Sequence, residues 1–285
     1  MKKENPKPSR GKSSDYNKKR APKADFSSRP KVPKEKEESE EPETIEGMRL
    51  NKYIAHCGVC SRRQAADLVK EGAVMVNGQE MREPFYQMQL HDVVTVKGKV
   101  IKPEGRKVYI LMNKPKNVIT TAKDERGRKT VMDIIAGKVR ERVYPVGRLD
   151  RDTTGLLLLT NDGELAEKLT HPSHGVKKIY HVHLDRSMPT VDLEKIRKGV
   201  TLDDGVAQVD AIDYVEGTRH MELGVELHIG KNRIVRRIFE HLGYTVERLD
   251  RVYLGGLTKK DLPRGFFRRL TEREVIMLKH FSGKK

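Results

Sequence analysis

The sequence predicts an α+β fold of two modest domains behind a charged tail, and three observations carry that reading. From His220 to Ile229, Met221, Leu223, Val225, Leu227 and Ile229 alternate with polar residues or glycine, the period of a strand with one buried face. Directly after a Gly230-Lys231-Asn232 turn, Ile234, Val235, Ile238, Phe239 and Leu242 recur at helical spacing, with Arg233, Arg236, Arg237 and Glu240 on the other side, and Gly243 supplies a left-handed stop. Earlier, an unbroken run from Leu156 to Leu159 between turn residues reads as a fully buried strand.

Composition narrows the partners. The chain has 285 residues and a formal net charge of +17, with 58 Lys and Arg against 41 acids. Such an excess favours a polyanion, nucleic acid before an anionic membrane. No apolar stretch is long enough to span a bilayer, and the N-terminus has no signal-peptide core, so a cytoplasmic protein is expected. The two cysteines form Cys57-x-x-Cys60. A zinc site wants four ligands and a redox pair wants a βαβ setting, so both are read as small buried side chains and no metal is expected. A monomer is the default state.

Residues 1–47 lack hydrophobic periodicity and are expected to be disordered. Their charge is blocked: 12 basic and 3 acidic residues up to Lys34, then 7 acids and one lysine from Glu35 to Glu46. The first block reads equally as an arm touching phosphates or a solubilising tail.

Order begins at Met48. Leu50, Tyr53, Ile54 and Cys57 have helical spacing and Gly58 ends that helix; Ser61-Arg62-Arg63-Gln64 is a capping box opening a second one. Val74-Met75-Val76 followed by Asn77-Gly78 predicts a strand and a type I′ hairpin. Arg49, Lys52, Arg62 and Arg63 gather on the two helices, and this order of elements resembles the S4 RNA-binding module. On that resemblance these four residues contact structured RNA; residues 97–107 read as the linker, module and linker spanning 48–107.

The second domain, 108–285, opens with a strand, Val108 to Met112, then Asn113-Lys114-Pro115 and a loop through Asp124, Gly127, Arg128, Thr130 and Val131. Asn117 lies in the turn that follows, and Asn tolerates positive φ best among non-glycine residues. The most informative stretch is Pro145 to Glu164, PVGRLDRDTTGLLLLTNDGE. A glycine-hinged basic loop, Gly147-Arg148-Leu149-Asp150, runs into the leucine strand, so Asp150 is held by rigid backbone at the mouth of a sheet. Asp152 and Asp162 read as turn formers or helix caps. Asp150-x-Asp152-x-Thr154 also matches a phosphatase nucleophile motif, but that motif ends an apolar strand, whereas here the apolar run follows it.

The whole string resembles the catalytic motif of the RsuA/RluB/RluF-type ribosomal RNA pseudouridine synthases. The resemblance extends from Met48 over most of the chain and implies an S4-like module followed by a mixed or antiparallel-sheet catalytic domain. It maps the essential aspartate onto Asp150 and, through Lys178-Ile179-Tyr180, the uracil-stacking tyrosine onto Tyr180. Through Gly230-Lys231…Val235-Arg236-Arg237 it maps the arginine that pairs with the aspartate onto Arg236. Arg148 is expected to hold the displaced strand, and Lys231, Arg233 and Arg237 to contact RNA. Lys231 replaces a common arginine, and Ile234 a frequently polar residue. His171 and His174 read as turn residues, and Val275, Ile276, Leu278 and Phe281 as the inward face of a C-terminal helix.

The expected reaction is isomerisation of uridine to pseudouridine in ribosomal RNA, leaning to the large-subunit 23S RNA, with no cofactor. The alternative from another class is a non-catalytic S4-type ribosome-assembly factor, which would have no need of Asp150, Tyr180 and Arg236 together.

Overall fold

The computed structural model describes residues 45–103 and 105–281, without the side chain of Phe281. The expected disordered tail therefore lies outside the described residues up to position 44, and so does the expected packing of Phe281.

The first unit follows its local signals. Helix α1 (Leu50–His56) buries Leu50, Tyr53 and Ile54. Helix α2 (Arg62–Lys70) opens on a complete capping box, Ser61 Oγ accepting from the Gln64 amide and the Gln64 side chain from the Ser61 amide. Strands β1 (Val74–Val76) and β2 (Gln79–Glu80) join through Asn77 and Gly78 at φ 52° and 80°, as a type I′ turn requires. The stretch 97–107 is not all linker. β3 (Val94–Val96) and β4 (Lys99–Val100) form a second hairpin across Lys97 and Gly98, at φ 49° and 79°, completing a sheet in the order β2-β1-β3-β4. A lysine rarely adopts a left-handed backbone, so the turn had no sequence signature. Cys57 and Cys60 are only partly buried against this unit's core.

The second unit begins with β5 (Tyr109–Lys114), buried along its whole length. Helix α3 (Val131–Ile135) is short and starts on a reciprocal Thr130–Asp133 box. After β6 (Tyr144–Pro145) comes β7 (Thr154–Thr160), the expected leucine strand. Asp162 caps helix α4 (Gly163–Thr170) by accepting from the Leu165 amide, the local role expected of it. Next come β8 (Lys178–Leu184), helix α5 (Thr190–Lys198) and the hairpin β9 (Val200–Leu202)–β10 (Gly205–Ala207). β11 (Ala211–Tyr214), β12 (Glu222–Leu227) and helix α6 (Ile234–His241) lead into β13 (Val246–Leu254). The described chain ends with β14 (Leu257–Thr258), β15 (Phe267–Arg269) and helix α7 (Glu272–Phe281).

These strands form one mixed nine-stranded sheet, ordered β11-β12-β8-β13-β7-β5-β15, with β6 on β7 and β14 on β13. β13 runs parallel to β7 and antiparallel to β8. Its charged residues, Glu247, Arg248, Asp250 and Arg251, hid this nine-residue strand from a hydropathy reading. β7 is sandwiched: Leu156 and Leu158 pack with Leu165, Leu169 and Leu278, while Leu157 and Leu159 pack with Val118, Val131 and Ile135. Each buried leucine contributes about 1.5–3 kcal/mol, so this strand is the fixed frame of the loop before it.

Two facial assignments change. Arg236 is not on the solvent side of α6 but buried with its apolar face, 4% exposed. On α7, Leu278 is buried and Val275 half-buried as expected, whereas Ile276 faces solvent at 55% exposure.

Candidate active site

Asp150 sits in a turn whose Thr153 amide donates to the Asp150 carbonyl (3.1 Å), one residue before β7 starts. The turn is clamped from the segment 114–120. The Asn117 amide donates to the Arg151 carbonyl (2.8 Å), with Asn117 at φ 66°, so asparagine does take the left-handed turn position. The Thr120 hydroxyl donates to the Leu149 carbonyl (2.8 Å). Below lies Lys114, fully buried, its ammonium donating to the carbonyls of Pro115 (3.0 Å) and Val118 (2.7 Å). Burial pushes this lysine down to about 8, against the opposing pull of Asp152 and Asp150.

The carboxylates of this turn meet two arginines from α6. Arg233 Nη1 lies 3.7 Å from Asp150 Oδ2 and 3.8 Å from Asp152 Oδ1. Arg233 is the N-cap of α6 at φ 46°, a left-handed backbone that aims its side chain back over the turn. Arg236 lies with Nη2 2.9 Å from Asp152 Oδ2, while its Nη1 donates to the Val246 carbonyl (2.6 Å). The expected Arg236–Asp150 pair is thus replaced in this structure: Arg236 holds Asp152, and Arg233 faces Asp150. Alignment at Asp152 is poor for a hydrogen bond, and Arg236 Nε has no partner among the described residues. Asp152 is therefore part of an ionic cluster, more than a turn former.

Asp150 is 28% exposed at its side chain and borders two clefts. The first, about 410 Å³, is lined by Arg148, Asp150, Thr153, Tyr180, Arg233 and Arg251 among others. That size suits a single nucleotide. The second, of similar size, lies on the other side of Asp150 beneath Arg148 and Arg151, beside an Asp124–Arg128 pair at 2.7 Å. Tyr180 is half-buried between the cores flanking β8 and shares the first cleft with Asp150. Arg148 is exposed at the border of both clefts.

Of the other expected RNA contacts, Lys231 and Arg237 are turned inward onto the β9–β10 hairpin. Arg237 makes a bidentate pair with Asp204 (3.0 and 2.7 Å), and Lys231 donates to the Asp204 carbonyl (2.8 Å). The arginine beside Asp204 holds its carboxyl down at about 2. Arg49, Arg62 and Arg63 are exposed on the first unit, Arg49 with its guanidinium 5.3 Å above the Phe85 ring; Lys52 is half-buried.

Sequence reasoning missed Arg251 and passed over Lys178. Arg251 is 3% exposed on β13, donates from Nε to the Leu156 carbonyl (2.7 Å) and reaches the first cleft beside Tyr180. Lys178 lines the same cleft. No group of three or more His, Cys, Asp or Glu among the described residues is arranged to hold a metal ion.

The chain that builds this nucleotide-sized cleft has known counterparts. A family model for RNA pseudouridylate synthases matches residues 108–241, and one for the S4 domain matches 48–94. Ribosomal large subunit pseudouridine synthase B of Bacillus subtilis is 41% identical over 236 residues, which are 81% of this chain and 95% of that protein. The chain belongs to the RNA pseudouridine synthase family. An RNA pseudouridine synthase of Aquifex aeolicus is 38% identical over 242 residues, 84% of this chain and 96% of its own. A solved pseudouridylate synthase superposes with a TM-score of 0.57 at 26% identity, covering 81% of this chain and 99% of its own. The synthase is accordingly an isomerase acting on RNA, with an S4 domain ahead of its catalytic domain.

Proposed function

We propose that the synthase converts a uridine of large-subunit ribosomal RNA to pseudouridine, with Asp150 as the one essential carboxylate. The observation that carries this is the placement of Asp150 and Tyr180 in one nucleotide-sized cleft, with the Asp150 carboxylate part-exposed under Arg233. Support for the large-subunit substrate is the likeness to the Bacillus subtilis enzyme over nearly its whole length.

The chemistry sets what the residues must do. The target uridine leaves its stack, at a cost of a few kcal/mol, so that C1′ and C2′ become reachable. Tyr180 replaces the lost stacking, worth roughly 1–3 kcal/mol per base. Arg148, on the rim, holds the strand that the base has left. Asp150 acts as a carboxylate at the sugar, attacking C1′ or taking the C2′ proton, while Arg233 orients it. The N1–C1′ bond breaks, the base turns within the cleft, and C5 bonds to C1′. C5 loses its proton and N1 ends protonated, so the atoms of substrate and product are the same. The exposed Arg49, Arg62 and Arg63, with Lys52, supply phosphate contacts from the S4 domain that position the RNA without reading its bases. The protein acts as a cytoplasmic monomer.

The test is incubation with unmodified ribosomal RNA in EDTA, followed by mapping of pseudouridine. Appearance of one new modified position supports the reading. RNA bound but unchanged would favour a non-catalytic assembly factor.

A further inference from the structure

The floor of the cleft carries two cations that the reaction described above does not use. Lys178, at the start of β8, donates to the carbonyls of Val176 (3.1 Å) and His228 (2.9 Å). Arg251, on the neighbouring strand, spends only Nε, on the Leu156 carbonyl; its Nη2 is buried and has no partner among the described residues. Neither has a carboxylate within ion-pair distance among the described residues. Of the other cations of the same cleft, Arg148 is exposed on its rim, whereas Lys231 is neutralised on Asp204, and Arg233 on Asp150, Asp152 and Glu240. Asp210, the acid nearest in effect to Lys178, is engaged by His228 at 2.6 Å.

A buried guanidinium with a free edge costs stability unless something occupies it. Here the position is constrained on every side. Gly155, at φ 107°, lets β13 approach β7 so closely that a Cβ there would lie 2.3 Å from the Arg251 carbonyl. Arg251 is in register with Tyr180. Burial first, and the Arg251 charge after it, push Lys178 down to about 8, against the opposing pull of Asp210.

We propose that Lys178 and Arg251 form an anion subsite that binds a backbone phosphate of the flipped nucleotide, beneath the face of Tyr180. The subsite rests on reading the cleft as the place where the uridine is received. It adds a second anchor: the ring is held by stacking and the phosphate by two charge-assisted donors. Fixing both ends of the nucleotide keeps the ribose over Asp150 while the severed base rotates.

The experiment compares uridine, uridine 3′-monophosphate and uridine 5′-monophosphate as ligands of the full-length protein by titration calorimetry at low and high salt. One monophosphate is expected to bind at least about tenfold more tightly than uridine, since charge-assisted hydrogen bonds exceed neutral ones. Added salt should close that gap, as should Lys178→Gln and Arg251→Gln. Equal binding of all three ligands to the unaltered protein, or no binding of either monophosphate, overturns the subsite, whatever the variants do. A preference that survives in both variants also overturns it. Asp150→Asn serves as the control: loss of turnover with the phosphate preference intact supports both readings. Retained turnover in that variant rejects the role of Asp150 but leaves the subsite to be judged by the titrations.

Discussion

Arg236 and Asp152 form the tightest ion pair of the turn that carries Asp150, 2.9 Å between Nη2 and Oδ2, with the arginine side chain 5% exposed and the aspartate 40%. The arginine is fixed on its other side by the Val246 carbonyl, so the pair ties the loop to the junction of α6 and β13. Asp150 is left to Arg233, whose weaker contact at 3.7 Å leaves the Asp150 carboxylate open to the cleft. Asp152 takes the buried arginine and so keeps the second charge from closing on Asp150.

Removing Asp152 should therefore harm both stability and rate. Asp152→Ala strands a buried guanidinium, a loss on the order of 3 kcal/mol. Chemical denaturation measures it. Asp152→Asn, which retains a hydrogen-bond acceptor, should cost less stability yet still lower kcat, because Arg236 becomes free to pair with Asp150.

Gly155→Ala should be severely destabilising, by more than about 3 kcal/mol, because strain at φ 107° adds to a clash with the β13 backbone. A fall in denaturation midpoint, or loss of soluble protein, is the expected result. Wild-type stability would mean that β7 and β13 are not parallel neighbours there.

Lys114 and Lys178 fix the alkaline behaviour. Both are depressed from about 10.5 to about 8 in the folded protein. Between those values the unfolded chain binds more protons than the folded one, so stability should rise as pH goes from 8 towards 10. Tyr53 and Tyr244, raised to about 12, reverse the trend above pH 10. Lys114→Met should flatten the rise, as followed by urea denaturation at several pH values.

On the S4 domain, Arg62→Ala with Arg63→Ala should weaken RNA binding and reduce the slope of log affinity against log salt by about two, near one per phosphate contact. The rate on saturating RNA should be unchanged. A pure loss of rate contradicts the assignment.

How much of this was legible in the sequence depended on whether burial was achieved with apolar atoms. The leucine strand, the amphipathic α6 and the Ser61 capping box announce themselves through periodicity and local hydrogen bonding. β13 does not. It lies in the middle of the sheet, yet Asp250 is buried on it because Thr154, Lys259 and Arg264 satisfy its carboxylate, and Arg251 because its Nε donates to the Leu156 carbonyl 95 residues away. Such partners are tertiary facts, invisible to a sliding window. The same holds for the site. Asp150 and Arg148 are legible in the Pro145–Glu164 string and Tyr180 in the separate Lys178-Ile179-Tyr180 motif, and all three line one cleft. The exchange of partners between Arg233 and Arg236 depends on the left-handed residue that starts α6, which nothing in the local sequence marks.

The most direct test of the account is single-turnover pseudouridine formation by Asp150→Asn on saturating unmodified ribosomal RNA, with RNA affinity measured in parallel. The account predicts that product formation is abolished while affinity stays within about twofold, since a carboxylate acting at the sugar is not needed to hold the phosphates. Residual turnover close to that of the unaltered enzyme, or an equal loss of affinity and rate, would contradict it.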